Sequence, residues 1–476
     1  MSFRISPPVA PSPFDIVRRS CLQQDGLPFA DALTAEQIAQ AFAAEGVAFG
    51  DGDPRAVYTR AITLWAMLSQ ALFTGAERAC RAAVLRVATY YALLGRLIST
   101  NTGAYCRARA KVGEGVVRRL TEGIAERCEA AVPEDWKWLG RTVHIADGTT
   151  HSMPDTPANQ AEYPQPTTQT PGVGFPLMRT VVLMSLATGL VNAFAAGPYA
   201  GKETGETALL RSLFDKLKPG DVVLGDRYFG GWFMLALLRQ LGVDFVTRLH
   251  QLRQVDFRRG RRLGPRDHIV IWPKPQRPDW LDQQTYDSLP EQLEVREVHV
   301  TVEAPGSRTD SLVVVTSLLD PAAVSAEDLR ELYRQRWRVE LQLRDIKSML
   351  QLDVLRAQTP EMVRQELWTG LLAYNLIRQS LLQSAQASGE YPCYLSFTAH
   401  LQMLTTTWLL AAIPIPVNPG EVALILLRLA SGASQRVGLR PDRFEPRAIK
   451  RRKSTHKLLT KPRDEARAEL LNACAQ

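Results

Sequence analysis

Cysteine is scarce and scattered. The six thiols Cys21, Cys80, Cys106, Cys128, Cys393 and Cys474 form no C-x-x-C pair, and none stands near a histidine at zinc-ligand spacing. That excludes a disulfide framework and a structural zinc site, and fits reduced, mostly buried thiols in a cytosolic protein. No run of 18 apolar residues is uninterrupted; the best, Trp408 to Ala430, is broken by Pro414, Pro416, Pro419 and Glu421, so no transmembrane helix is expected. The opening MSFRISPPVAPSPF carries too many prolines for a signal peptide. No segment repeats at a fixed period, which excludes solenoids and propellers.

What remains is the composition of a globular protein, 45% hydrophobic and 22% charged over 476 residues, enough chain for two or three domains. Lys and Arg number 57 against 49 Asp and Glu, a formal charge of +8. A basic excess suits a polyanionic partner without requiring one.

Apolar residues recur at three- and four-residue spacing in 33–46, 56–73 and 75–97, which predicts helices. They belong to an all-α domain over 14–135, behind a Pro-rich leader at 1–13. Its most basic part, AYCRARAKV, presents Arg107, Arg109 and Lys111 after an STNTG turn; it fits a helix set against DNA or, equally, a solvated helix face. From Arg141 the texture changes. RTVHIADGTTHSM, MRTVVLMSLAT and LVNAFAAGPY predict three strands joined by hairpin-like turns, followed by helix, strand, helix and strand through VDFVTRL. The order βββαβαβ predicts a mixed sheet with helices packed on it over 136–249. Residues 250–318, rich in Arg (Arg258, Arg259, Arg261 and Arg262 among them), read as an inserted β-rich subdomain. The core resumes at 319–385; a C-terminal helical region (386–439) and a basic tail (440–476, with KRRKSTHK) follow.

Two of the strands end in aspartate, Asp147 in HIADGTT and Asp226 in LGDRYFG. If those strands are neighbours, the carboxylates converge. A third acid comes from Ser325 to Leu352, a stretch without Gly or Pro that opens on Ser325 as N-cap with Glu327 and Asp328 in its first turn, and predicts one continuous helix. At roughly 100° per residue, Tyr333, Arg336, Glu340 and Lys347 share an arc of about 60°. Leu332, Val339, Leu343, Ile346 and Leu350 form an apolar stripe roughly 80° away, and Asp345 lies off the polar line. The polar line is either a solvated charged face or a metal ligand flanked by phosphate-holding groups. Three carboxylates without His or Cys make an oxygen-only ligand set suited to magnesium or manganese. Such a set can hold two ions about 3.5–4 Å apart on a phosphodiester. Taken singly, each aspartate reads as well as a turn residue, and Asp155 and Asp221 are nearby examples.

Tyr333, Arg336, Glu340 and Lys347 stand at the spacing Y-x2-R-x3-E-x6-K, downstream of D-G-T (Asp147 to Thr149) and G-D-R-Y-F (Gly225 to Phe229). In these motifs the chain resembles the DDE transposases of bacterial insertion sequences, insertion-sequence-four group, from about Ala104 to the LLTKPR of the tail. The resemblance implies a ribonuclease-H-like α/β core with a β-rich insertion between the second Asp and the Glu, preceded by an all-α domain and followed by helices. It implies that Asp147, Asp226 and Glu340 bind two Mg2+ ions, with Mn2+ able to substitute, and that Tyr333, Arg336 and Lys347 hold terminal phosphates. It further implies cleavage of transposon ends through hairpins, joining to target DNA, and a homodimer acting on double-stranded inverted repeats in the bacterial cytoplasm, at the nucleoid. DNA contacts would be shared by Arg107, Arg109, Lys111, the Arg258–Arg262 cluster and the tail, and one of Trp272, Trp280 and Trp337 could stack on a flipped base. A structure-specific nuclease or resolvase on the same core and a DNA-binding regulator derived from a transposase are the alternatives; the regulator would require damage to the triad, and none is visible.

Overall fold

The molecule is built on one sheet of nine strands. The structure, a computed structural model, describes residues 33–50, 53, 55–93, 96–301, 311–410 and 460–474. The leader, KRRKSTHK and most of the expected C-terminal helical region lie outside those residues. The strands are β1 (Val143–Ser152), β2 (Leu177–Ser185), β3 (Val191–Pro198), β4 (Val222–Leu224), β5 (Asp244–Arg248), β6 (Arg261–Gly264), β7 (Asp267–Pro273), β8 (Gln292–Thr301) and β9 (Ser311–Thr316). Their order is β3-β2-β1-β4-β5-β9-β8-β7-β6. β1, β2 and β3 are antiparallel neighbours, whereas β4 pairs parallel with both β1 and β5. This is the βββαβαβ order expected of a ribonuclease-H-like core.

The helices are α1 (Ala35–Ala44), α2 (Arg60–Leu72), α3 (Cys80–Leu93), α4 (Gly103–Ala130), α5 (Pro157–Glu162), α6 (Glu206–Arg211), α7 (Trp232–Gln240), α8 (Gln283–Ser288), α9 (Ala326–Gln335), α10 (Trp337–Arg344), α11 (Pro360–Ser388), α12 (Phe397–Leu410) and α13 (Arg463–Cys474). Parallel strands cannot be joined by a tight turn, so α6 and α7 carry the chain from β3 to β4 and from β4 to β5. Alternation along β1 divides the interior. Val143 and Ile145 join one core with α2, α4, α10 and α11, while Ala146 faces α6 and α7 on the other side of the sheet. The N-terminal helices are fastened to α11: Glu114 accepts from Arg364 (2.9 Å) and Trp368 (3.1 Å), and Asn375 donates to the carbonyls of Thr121 and Val191. Among the described residues no helix is long and apolar enough to cross a membrane.

One expectation is corrected. β1 and β2 are not joined by a hairpin turn; residues 153–176 intervene, carrying α5 and six prolines that deny the segment ladder hydrogen bonds. Of these three strands only β2 and β3 meet through a tight turn, at Thr188-Gly189, where Gly189 takes φ +71°. The strands of the insertion join the core sheet. β9 comes back to pair antiparallel with β5 (Thr247 opposite Val315), so β6 to β9 extend the core sheet itself. An unpaired outer edge on β5 would leave a row of backbone donors and acceptors open, and β9 closes it.

Arg296 pins the extension from below. Fully buried, it makes a two-pronged pair with Asp267 (2.8 and 2.6 Å) and donates to the Val324 carbonyl just before α9. Removing one partner of such a pair strands the other charge. Arg296→Ala is therefore expected to lower the unfolding free energy by about 3–5 kcal/mol, read from urea denaturation.

Candidate active site

Backbone register sets two of the acids side by side. Val143 lies opposite Val222 and Ile145 opposite Leu224, and the same offset carries Asp147 level with Asp226, just past the last parallel pair. Asp226 follows the end of β4 as expected, but Asp147 does not end its strand: β1 stays paired with β2 as far as Ser152, which corrects that expectation. Gly225 N–H, donating to the Val246 carbonyl (3.0 Å), holds the second strand in line up to its aspartate. Asp147 accepts from the N–H of Gly148 (2.9 Å); Asp226 caps the turn Arg227–Phe229 by accepting from Tyr228 N–H (2.8 Å).

The stretch expected as one helix is interrupted twice. α9 begins with the Ser325–Asp328 capping box and ends at Gln335; Arg336 links it to α10 through i,i+3 bonds to Tyr333 and from Val339. After Arg344 the chain widens into a π turn over Asp345–Met349, where Leu350 N–H reaches back five residues to the Asp345 carbonyl (3.1 Å). Asp345 is the cause we find. Its buried carboxylate is drawn to Arg378 (3.4 Å), which also donates to the Tyr374 hydroxyl (2.8 Å). Leu332, Val339, Leu343, Ile346 and Leu350 are nonetheless all buried. That packing sets α10 on β1 with Glu340 over the Asp147 face. Lys347, in the π turn, donates to Thr149 Oγ1 (3.1 Å) on the same strand.

The charges confirm the proximity. Burial pushes the Asp147 carboxyl up to about 6, with Asp226 and Glu340 adding to the rise and Gly148 N–H and Arg336 opposing it. Arg336 donates to Glu340 Oε1 (2.8 Å); burial works to lower its pKa, but Tyr333, Glu340 and Asp147 together carry it above the ordinary value. Burial raises the Tyr333 phenol, against Arg336 and Arg248 and with Asp226. Arg248, which the sequence reading passed over, falls level with Asp226 by the register of β5 against β4 (Leu224 opposite Val246). The signal was available: it ends the third of the parallel strands, one position beyond β4.

Each acid commits one oxygen to the protein, and among the described residues the other oxygen of each has no hydrogen-bond partner. The donor set suits a hard divalent cation. As they stand, no three acidic, His or Cys side chains among the described residues are close enough to share one ion, because Glu340 is held by Arg336 and Asp226 by its own turn. A small open cleft beside Asp147 is lined by Gly148, Glu340, Lys347 and Asp353.

The remaining candidates scatter. Arg107 and Lys111 are exposed on α4, but Arg109 turns inward toward Cys80 (3.8 Å), and its Nε is buried without a partner. Arg109 is thus partly covered, because its position on α4 faces α3 and α11. Arg258, Arg259, Arg261 and Arg262 are exposed around the β6 edge, with Asp256 paired to Arg258 and Arg259. Five strand spacings of roughly 4.8 Å separate β6 from β4, about 24 Å along the sheet. Trp272 is buried, donating to Glu297 and covered by Arg253, and Trp280 lies under Arg211, whereas Trp337 is 45% exposed beside Arg336.

Comparison with known proteins is consistent with this geometry. The family model described as "Transposase DDE domain" matches residues 138–376. The Escherichia coli K12 transposase InsG of insertion sequence element IS4 is 29% identical over 360 residues, 73% of this chain and 76% of that protein. The putative E. coli K12 transposase InsL of element IS186A is 40% identical over 77 residues, 16% of this chain and 20% of that one. Among solved structures, the piggyBac transposase in a synaptic complex with hairpin DNA aligns over 89% of this chain and 87% of its own, at TM-score 0.41 and 9% identity.

His144 and His151, which flank the first aspartate, serve the scaffold. His144 pairs with Asp221 (3.0 Å); His151 bridges the Leu352 carbonyl (2.6 Å) and Thr180 (3.2 Å), tying β1 to the segment after the π turn. Burial pushes the His151 pKa down from 6.5 to about 4. A histidine depressed in the fold stabilises above its unfolded pKa, and that stability is lost as pH falls from about 6.5 toward 4. Linkage puts the loss at up to about 3 kcal/mol. In urea titrations at pH 7 and pH 4.5, His151→Asn is expected to be the less stable protein at pH 7 but to lose less on acidification than wild type.

Proposed function

This chain belongs to the DDE transposase family, and on that premise we propose that it binds the terminal inverted repeats of its insertion sequence, cleaves them at Asp147, Asp226 and Glu340, and joins them to target DNA. The observation that carries the reading is the placing of Asp147 level with Asp226 on the neighbouring strands β1 and β4, with Glu340 lining the cleft beside Asp147 and one oxygen of each acid free; Tyr333, Arg336, Arg248 and Lys347 are the polar groups around them. The three carboxylates would hold two Mg2+ ions, or Mn2+ in their place, which when bound make water a nucleophile and stabilise the leaving oxygen.

The protein's own groups divide the remaining work. Arg336, bonded to Glu340 at rest, is the group that would face a phosphate oxygen if Glu340 turned to a bound cation, where charge develops in the transition state. Lys347 sits on the Thr149 side and Arg248 with Tyr333 on the Asp226 side, so that a phosphate in the cleft is held from both flanks. The 3′ hydroxyl freed by the first cut attacks the opposite strand to give a hairpin end, and after reopening attacks target DNA. Arg107, Lys111 and the exposed arginines of the β6 edge contact backbone phosphates, which makes binding steeply salt-dependent. Two paired ends call for a homodimer, acting on DNA in the cytoplasm.

Incubated with Mg2+ and DNA bearing its element's ends, the protein is expected to give nicked and hairpinned products; equal cutting of DNA without those ends contradicts a transposase reading in favour of a nuclease. Glu340→Gln is expected to abolish cutting while leaving end binding in Ca2+ intact, and residual cleavage by that variant would remove Glu340 from the assignment. Arg336→Ala is expected to slow hairpin formation by about 10²-fold or more with a much smaller loss in gel-shift affinity.

A further inference from the structure

Arg258 stands apart from the other exposed arginines of the β6 edge. It lies in the turn that leads from β5 into β6 with its side chain 90% exposed, yet it is held in one direction. Asp256 accepts from its backbone N–H (3.1 Å) and takes its guanidinium side-on, Oδ1 from Nε (2.9 Å) and Oδ2 from Nη2 (3.2 Å). A guanidinium has five N–H donors, so three remain on the two Nη atoms, and among the described residues nothing accepts them. The turn is built to keep that direction. Arg259 N–H returns to the Asp256 carbonyl (3.0 Å), and the Arg259 carbonyl accepts from Nδ1 of His268 (2.6 Å). His268 is buried, packs on the Phe257 ring and meets Glu297 through its other nitrogen (3.1 Å). Gly260 closes the turn at φ +78°, where a Cβ would come within 2.2 Å of the Ile269 carbonyl oxygen on β7.

An arginine that only has to find a phosphate gains nothing from this arrangement. Phosphate oxygens can be approached from many directions, and an acid beside the guanidinium repels the same phosphates. Asp256 also lies 3.4 Å from Arg259, so it offsets the charge of both arginines in the turn. What it supplies instead is orientation: with one edge of the guanidinium plane fixed, the Nη edge is presented as a pair of parallel donors. In duplex DNA the group that matches such a pair is guanine, whose O6 and N7 both accept in the major groove. The β6 edge lies about 24 Å along the sheet from the acidic cleft, which sets the contact inside a terminal repeat and away from the cut. We propose that Arg258, aimed by Asp256, reads one guanine in the major groove of the terminal repeat, with Arg259, Arg261 and Arg262 left to the flanking phosphates. The inference rests on the end-binding reading given above and adds to it a residue that tells one sequence from another.

The test is a gel-shift competition in Ca2+ between the full-length protein and duplexes carrying the element's end, with each guanine replaced in turn by 7-deazaguanine, which pairs normally but lacks the N7 acceptor. The wild-type protein is expected to lose about tenfold in affinity at one guanine, and Arg258→Ala to bind the unmodified end about that weakly and to be indifferent to 7-deazaguanine at that position alone. Arg258→Lys keeps the charge without the paired donors and is expected to behave as Arg258→Ala does at that guanine. Asp256→Asn, whose amide oxygen can still accept from the Arg258 N–H, is expected to lose the same discrimination while binding unrelated DNA no more weakly, since a repelling charge is gone. A wild-type protein that responds at no guanine overturns the proposal. So does an Arg258→Ala protein that loses affinity for the end and for unrelated DNA by one common factor and still responds wherever wild type does, which is the behaviour of a phosphate contact. In both outcomes the end-binding reading stands as long as wild type prefers its end; a wild-type protein that binds end-bearing and unrelated DNA alike removes both.

Discussion

Parallel pairing of β1 with β4 is the constraint on which the rest depends. Parallel strands in fixed register carry residues at one offset side by side, so Asp147 and Asp226 arrive level although far apart in sequence. The antiparallel meander from β1 to β3 and the crossover through α6 deliver β4 into that register, and a slip of one residue would send one aspartate to the other face. The cost falls on Asp147, whose carboxyl is raised chiefly by burial, with the repulsion of Asp226 and Glu340 added to it.

The resting site answers that repulsion with its own cation. Arg336 lies among Tyr333, Glu340 and Asp147 and satisfies Glu340 in the absence of other positive charge. One guanidinium thus answers two acids and a phenol at once.

Much of this was legible in the sequence, for identifiable reasons. The apolar stripe from Leu332 to Leu350 and the strand end before Asp226 are a periodicity and a boundary, which local sequence records; the Asp-Gly at Asp147 looked like such a boundary too, but pairing with β2 carries β1 on to Ser152. The π turn was not legible, because its cause is a buried pairing with Arg378, more than thirty residues downstream and on another helix. The return of β9 to β5 was hidden for a similar reason: a β-branched run says that a strand forms but not which edge it will close. Arg109 looked like its neighbours Arg107 and Lys111 in composition, yet α4 has an inner face there, and only the position of α3 and α11 reveals it.

The unbroken sheet has a consequence of scale. Hydrogen-bonded strands do not stretch, so the separation of about 24 Å between the acidic cleft and the arginine-bearing edge at β6 is fixed by counting strands. At 3.4 Å per base pair, that is the length of roughly seven base pairs of duplex. The sheet is a ruler as well as a scaffold. A helical or loop-built insertion could have presented the same arginines, but at a distance that fluctuates; an insertion woven into the catalytic sheet relates the point of chemistry to a remote point of contact by a constant length.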